Sequence, residues 1–405
     1  MVEVNRTELS TAVGEGFLPA TAERVWRLLG VLRELQSRPK TSGKFTLKGG
    51  TALNVFHFPQ PPRLSVDLDL MVTGFPRAAP HSAERLEVVE LARKVGRDLG
   101  YDVLEEPAEA GSSLTWSYRN TLGSADRIKL DLDLLNRMTL LPTVSKDGPV
   151  LFGADDVNFP VVTEPELLGQ KLTAVAYRAA PRDLFDMYIM LMAGWHRKPG
   201  ARAMYLAYSF LQDQDWYRLS YPVQLNVPYK PNQLAEVLRG ETPAPTLDRI
   251  REGARDALER VTPPFTSATD KEQDLRRQLL RGDLAAFADI VGEPDPARRK
   301  ELAEHPGLHW RLQQAGRLGA QKRSNEGCLP SRHGSVARVT GARSDPAQCS
   351  SFHSGNPSPS ETKSRRVQRP VPGFARKALP TPGSLRGSAQ YPCAPLCCRV
   401  VLEEP

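Results

Sequence analysis

Between residues 20 and 38, Val25, Leu28, Leu29, Leu32 and Leu35 recur at spacings of three and four, the period that lays one apolar stripe along an α-helix. A second amphipathic helix is predicted over 82–99. Elsewhere in the front of the chain the period shortens to two. Residues 45–48 read as a short strand, Gly49-Gly50 as a bend, and 51–56 as the start of a helix. After a Pro-rich loop, Pro59 to Pro62, residues 64–72 alternate as a half-buried strand does, and residues 127–135 repeat the alternation. From Thr163 the helical period takes over. Helices are predicted over 163–179, 182–194, 201–211, 247–261, 270–291 and 297–304, and no strand after Val162. The pattern predicts an α+β protein, with an α/β domain over 1–162 and a helical domain over 163–320.

Charge alters this picture only at the C-terminal end. The 405 residues carry a formal charge of +7, but 321–405 hold 13 Lys/Arg against 5 Asp/Glu, leaving 41 against 42 in 1–320. The basic excess belongs to the tail, which excludes a polycationic nucleic-acid-binding core. Rich in Pro, Ser, Gly and Arg, the tail is predicted to be disordered over 321–405. It also contains all five cysteines, Cys328, Cys349, Cys393, Cys397 and Cys398, at spacings that match no zinc site. A Cys-free front, a start without a basic-then-apolar leader and no run of about 18 apolar residues predict a soluble, cytoplasmic protein with no membrane partner. His57, His81, His196, His305 and His309 are scattered without metal spacing and read as structural.

The candidate chemistry lies in the alternating strands. Asp67-Leu-Asp69 puts two carboxylates on one face, about 6–7 Å apart, with Val66, Leu68 and Leu70 on the other. Like charges so held repel, and a divalent cation relieves them; magnesium takes one or two carboxylates plus substrate phosphates. An isolated D-x-D suits an exposed strand face equally well. The second strand repeats the design, however, with Lys129, Asp131 and Asp133 sharing a face. If the two strands are neighbours, a third carboxylate joins the first two, as in two-cation displacement at phosphorus. Upstream, Lys48-Gly49-Gly50-Thr51 sits between strand and helix, where glycines let backbone N–H groups approach phosphate oxygens.

Farther on, Thr163-Glu-Pro-Glu166 has the form of a capping box. Lys171 emerges from the inward stripe of Leu168, Leu172 and Val175, so it either snorkels past its neighbours or meets an internal anion. Pro181-Arg182-Asp183 opens an almost wholly apolar helix, with Asp186 one turn on; an acid there is also what the helix dipole favours.

The order Gly49-Gly50-Thr51, Ser65-Val66-Asp67-Leu68-Asp69, then Asp131, resembles the DNA polymerase β-like nucleotidyltransferase superfamily. Within it, KGGTALN followed by R-L-S-V-D-L-D-L, and E-L-L-x-x-K-L before Arg178 and R-D-L-x-D, are similar to the AbiEii-type toxins of type IV toxin–antitoxin pairs. The likeness spans roughly 40–310 and leaves out the tail. It implies a polymerase β-like core of mixed sheet and flanking helices, completed by the helical domain. It also implies Asp67, Asp69, Lys171 and Asp183 as catalytic residues, and Lys48, Gly49, Gly50, Thr51, Ser65 and Lys171 as nucleotide-binding residues. The implied metal ligands are Asp67, Asp69 and a third acid, Asp131 or Asp133, with Asp131 favoured by the family's K-x-[DE] pattern. Asp183 would position or deprotonate the attacking hydroxyl, or orient Lys171. Cofactors would be Mg²⁺ or Mn²⁺ with an NTP as substrate. Partners would be an RNA acceptor, foremost the tRNA 3′ end, whose modification blocks translation, and a cognate antitoxin. Open beside this stand a metal-dependent glycosyltransferase, nucleotidylation of a protein or small molecule, and a non-catalytic binding module.

Overall fold

The computed structural model describes residues 4–316 apart from 59, 74–81, 109–110, 155, 179, 213–231, 239–251 and 254–267. The helix expected over 247–261 falls almost wholly outside the described residues, and the tail 321–405 with its five cysteines lies entirely outside them.

Seven strands form one sheet. They are β1 Phe45–Lys48, β2 Asp67–Val72, β3 Asp102–Ala108, β4 Gly111–Arg119, β5 Ala125–Asp133, β6 Val144–Asp147 and β7 Asn158–Val161, in the spatial order β3-β4-β5-β2-β1-β7-β6. The strand pairs β2/β5 and β1/β7 are parallel and the others antiparallel. Helices α1 Arg6–Gly14, α2 Pro19–Ser37 and α3 Ala83–Asp98 accompany the sheet, and α4 Glu164–Arg178, α5 Pro181–Met192 and α6 Ala201–Leu211 follow it. The helical part is completed by α7 Asp270–Leu280, α8 Ala285–Val291, α9 Pro296–Ala303 and α10 Pro306–Gln314. Among the described residues no strand follows Val161. Met1–Gly327 forms one unit of the chain.

The predicted stripes are the packed ones. Val25, Leu28, Leu29, Leu32 and Leu35 of α2 are buried, as are Leu68, Leu70, Leu130 and Leu132 on the inner face of β2 and β5. At about 25 cal/mol per Å² of apolar surface, such stripes supply most of what holds helix to sheet. Helix α2 is pinned further by a buried ion pair, Arg27–Glu23 at 2.8 Å. Arg27 lies over the Tyr118 ring, and Glu23 accepts from the Thr121 amide and hydroxyl.

Two departures from the sequence pattern have local causes. The helix expected over 270–291 breaks at Gly282, whose φ of +94° an α-helix cannot hold, giving α7 and α8. The capping box at Thr163 and Glu166 does not form: Thr163 Oγ1 is buried without a partner. The Glu166 carboxylate accepts instead from the Leu140 and Leu141 amides at 3.1 and 3.0 Å and from the Tyr208 hydroxyl at 2.6 Å. Those amides belong to the buried crossing after β5, where an unmet N–H costs more than one at a helix end. A complete capping box does occur at Thr269 and Glu272.

Candidate active site

Parallel pairing of β2 with β5 decides the geometry. Its register sets Asp69 beside Asp131 and Asp67 beside Lys129. Antiparallel pairing adds Lys48 of β1 next to Asp69, and Ser113 of β4 next to Asp131. One rung therefore runs Lys48–Asp69–Asp131–Ser113 across four strands, with side chains on the face opposite the buried leucines. Neighbouring strands lie about 4.8 Å apart, so the two carboxylates stand closer across the strands than Asp67 and Asp69 do along one.

At the end of β1 the chain turns through Gly49, with φ +69°, into one helical turn, Gly49–Thr51, and then a π-helix, Ala52–His57. Both glycines answer a close approach. A Cβ on Gly49 would stand 1.9 Å from Asp69 Oδ2, and one on Gly50 would stand 2.7 Å from Ser65 Oγ and 3.0 Å from the Arg63 guanidinium. The Thr51 hydroxyl donates to the Asp67 carbonyl at 2.6 Å, fastening the turn to the start of β2. Thr51 and Ser65 are both buried.

The two candidate third acids differ sharply. Asp133 accepts from Lys48 Nζ at 2.5 Å, from the Leu135 and Asn136 amides and from the Asn136 side chain. Although burial opposes it, these partners, Lys48 above all, hold Asp133 below the usual carboxylate range. Asp131 accepts from the Ser113 hydroxyl at 2.6 Å and pairs with Lys129, and its side chain is 39% exposed. Asp131 is open toward solvent where Asp133 is enclosed. Burial raises Asp69; Lys48 and Lys171 pull it down, and Asp131 and Asp67 push it up, leaving a net rise.

Lys171 does meet internal anions. Its ammonium is buried, 3.0 Å from Asp183 Oδ1 and 2.8 Å from Asp186 Oδ2. These carboxylates overcome the burial that would otherwise discharge it, so its pKa is raised. Sequence reasoning passed over the rest of this network. Arg63 forks onto Asp186 through Nε and Nη2 at 2.8 and 2.7 Å, and Asn54 Nδ2 donates to both Asp186 Oδ1 and the Gly50 carbonyl. Asp186 thus ties α4, α5, the loop before β2 and the Gly-Gly turn together. Its signals were the Arg opening R-L-S-V-D-L-D and the second Asp of R-D-L-x-D, both in view but assigned no role.

A family model described as nucleotidyl transferase AbiEii toxin, type IV TA system, matches residues 31–314. The chain belongs to the AbiEii family. An AbiEii protein is a toxin nucleotidyltransferase, which makes this chain an enzyme with an NTP substrate and an antitoxin partner. Among solved structures, MenT4, a nucleotidyltransferase toxin from Mycobacterium tuberculosis H37Rv, is similar at 18% identity, covering 76% of this chain and 99% of its own, with a TM-score of 0.48. No curated protein matches the chain.

Among the described residues, no three His, Cys, Asp or Glu side chains stand as a ready-made metal cluster; Asp131 is paired with Lys129 and Asp67 with Arg182. The donor set of this carboxylate face still fits a hard cation that completes its shell with substrate phosphates. It offers carboxylate oxygens on one face, with Gly49 leaving the space that the Asp69 carboxylate occupies. No helix among the described residues is long and apolar enough to cross a membrane.

Proposed function

We propose that this chain transfers a nucleotidyl group from an NTP to a hydroxyl of an RNA acceptor, foremost the 3′ end of tRNA, and thereby blocks translation in the cytoplasm until its antitoxin intervenes. The observation that carries the chemistry is the Asp69–Asp131 rung beside the Gly49–Gly50 turn. RNA as acceptor rests on the sequence resemblance alone.

Residues 1–162 supply the carboxylate face and residues 163–320 bring Lys171 and Asp183 to it. Asp67, Asp69 and Asp131 would hold Mg²⁺, or Mn²⁺, which when bound neutralises the triphosphate and the oxygens entering and leaving phosphorus. Gly49 and Gly50 let the Asp69 carboxylate and Ser65 close on the turn, whose backbone, with Lys48, Thr51 and Ser65, would face the triphosphate. Lys171 directs positive charge at the site, and Asp183, bonded to it and buried, orients the lysine. The acceptor oxygen bonds to the α-phosphorus as the bridge to the β-phosphorus breaks and pyrophosphate departs. The hydroxyl proton passes to a site carboxylate, of which Asp67 and Asp131 are the solvent-open ones.

Incubation with each labelled NTP, Mg²⁺ and total RNA tests this. The expected result is label in tRNA, dependent on Mg²⁺ and lost in Asp69→Asn. Label confined to protein or small molecules would replace the acceptor, and no label with any NTP would remove the activity.

A further inference from the structure

The three site carboxylates are not equally provided for. Asp69 lies among Lys48 and Lys171, whereas Asp67 and Asp131 stand at the open rim, each beside a half-exposed cation. Lys129 Nζ is 2.9 Å from Asp131 Oδ1, with the lysine side chain 43% exposed. Strand register places the same lysine next to Asp67. Arg182, on the first turn of α5, brings Nη1 to 3.6 Å from Asp67 Oδ2, both side chains being 38% exposed. Neither cation belongs to the buried Lys171–Asp186–Arg63 network, and exposed pairs of this kind are weak enough to be exchanged.

We propose that Lys129 and Arg182 are exchangeable counter-ions of this site. A divalent cation taken up by Asp67, Asp69 and Asp131 competes with them for the carboxylates, and the two released side chains then bind phosphate oxygens of the arriving nucleoside triphosphate. The inference rests on the carboxylate site described under Proposed function and goes beyond it by assigning two side chains a role in each half of the exchange. A doubly charged ion outcompetes single charges for the same oxygens, and a freed guanidinium or ammonium suits phosphate. The consequence has opposite signs. Removing either cation should tighten the binding of metal alone and weaken that of nucleotide, whereas a merely structural role would weaken both or neither.

The test uses the full chain as Lys129→Gln and Arg182→Gln, both at half-exposed positions. Free Mn²⁺ is titrated by electron paramagnetic resonance without nucleotide, and fluorescent ATP, CTP, GTP and UTP analogues are titrated by anisotropy with Mn²⁺ present. Each variant is expected to bind Mn²⁺ about two- to fivefold more tightly than wild type. Each should bind the preferred triphosphate about tenfold more weakly. Unchanged or weaker Mn²⁺ binding in both variants, or unchanged triphosphate binding, overturns the counter-ion role. Asp69→Asn separates this from failure of the underlying site: if wild type binds no Mn²⁺ even with nucleotide present, or Asp69→Asn binds it equally well, the carboxylate site itself falls, whereas Mn²⁺ bound only together with nucleotide overturns the counter-ion role alone.

Discussion

Individual residues here are held by what their neighbours leave no room for. Gly49 combines a positive φ with a carboxylate where its Cβ would be. Gly49→Ala should therefore cost about 1–3 kcal/mol of stability from backbone strain. It should cost far more in function, at least about 100-fold in nucleotidyl transfer, because Asp69 must move off its rung and misplaced reacting groups lose about that much. Parallel thermal melts and label incorporation would check both figures; activity falling only as far as stability does would contradict the second. Asp186 is the corresponding residue of the buried network. Asp186→Asn leaves Arg63 and Lys171 short of a carboxylate they both use. A loss of about 3–5 kcal/mol in urea unfolding is expected, as for other broken buried pairs. Arg63→Met with Asp186→Asn should cost less than the sum of the two single changes, since each single change strands a charge. Strict additivity would mean that the two side chains do not act as a pair.

At the scale of elements, the register of β5 gives its two acidic residues different tasks. Asp131→Asn should leave stability within about 0.5 kcal/mol, as exposed substitutions do, while lowering transfer by at least about 100-fold. Asp133→Asn should destabilise by about 1–3 kcal/mol, because an NH₂ replaces the oxygen that accepts from Lys48 and from the Asn136 side chain. Denaturant melts and transfer rates on the two variants would check this, and a reversal of the two outcomes would make Asp133 the metal-side acid. The pair also marks how far the sequence could be read. Alternation in 64–72 and 127–135 revealed both strands and which face held the acids. The parallel pairing that joins them depends on the whole sheet, and no local pattern specifies it. The hairpin β3–β4 went unread although Leu114, Trp116 and Tyr118 alternate inward. Strands β6 and β7 had little to show: Val144–Asp147 is largely exposed, and Pro160 interrupts Asn158–Val161. Lys171 was legible because it breaks an apolar stripe, and Asp183 only through the likeness of R-D-L-x-D to the family, whereas Arg63 lay in a loop, where no periodicity marks a buried side chain.

For the molecule as a whole, the crossing after β5 is held by the helical part through polar contacts, and these make stability depend on pH. His305 caps α10: its Nδ1 accepts from the Gly307 and Leu308 amides, and Nε2 donates to the Met138 carbonyl at 3.2 Å. Both ring nitrogens are thus committed to the neutral form, and a proton on Nδ1 would face two N–H donors. Burial, the largest influence, holds the imidazole down to about 4, from an ordinary 6.5. Above pH 6.5 the ring is neutral in folded and unfolded chains alike and the contribution is complete. Between 6.5 and about 4 only the unfolded chain takes up the proton, so stability declines; below 4 both are protonated and the loss levels off at about 3 kcal/mol. Other groups act with the opposite sign. Asp69 and Glu166, raised mainly by burial, favour the folded chain as pH falls. The isolating measurement is therefore a difference: urea unfolding of wild type and His305→Asn from pH 8 to 4.5. Asparagine keeps a cap acceptor but cannot be protonated, so the variant should be less stable at pH 8 and draw level with wild type toward pH 4.5. Parallel profiles would mean that His305 does not couple stability to pH.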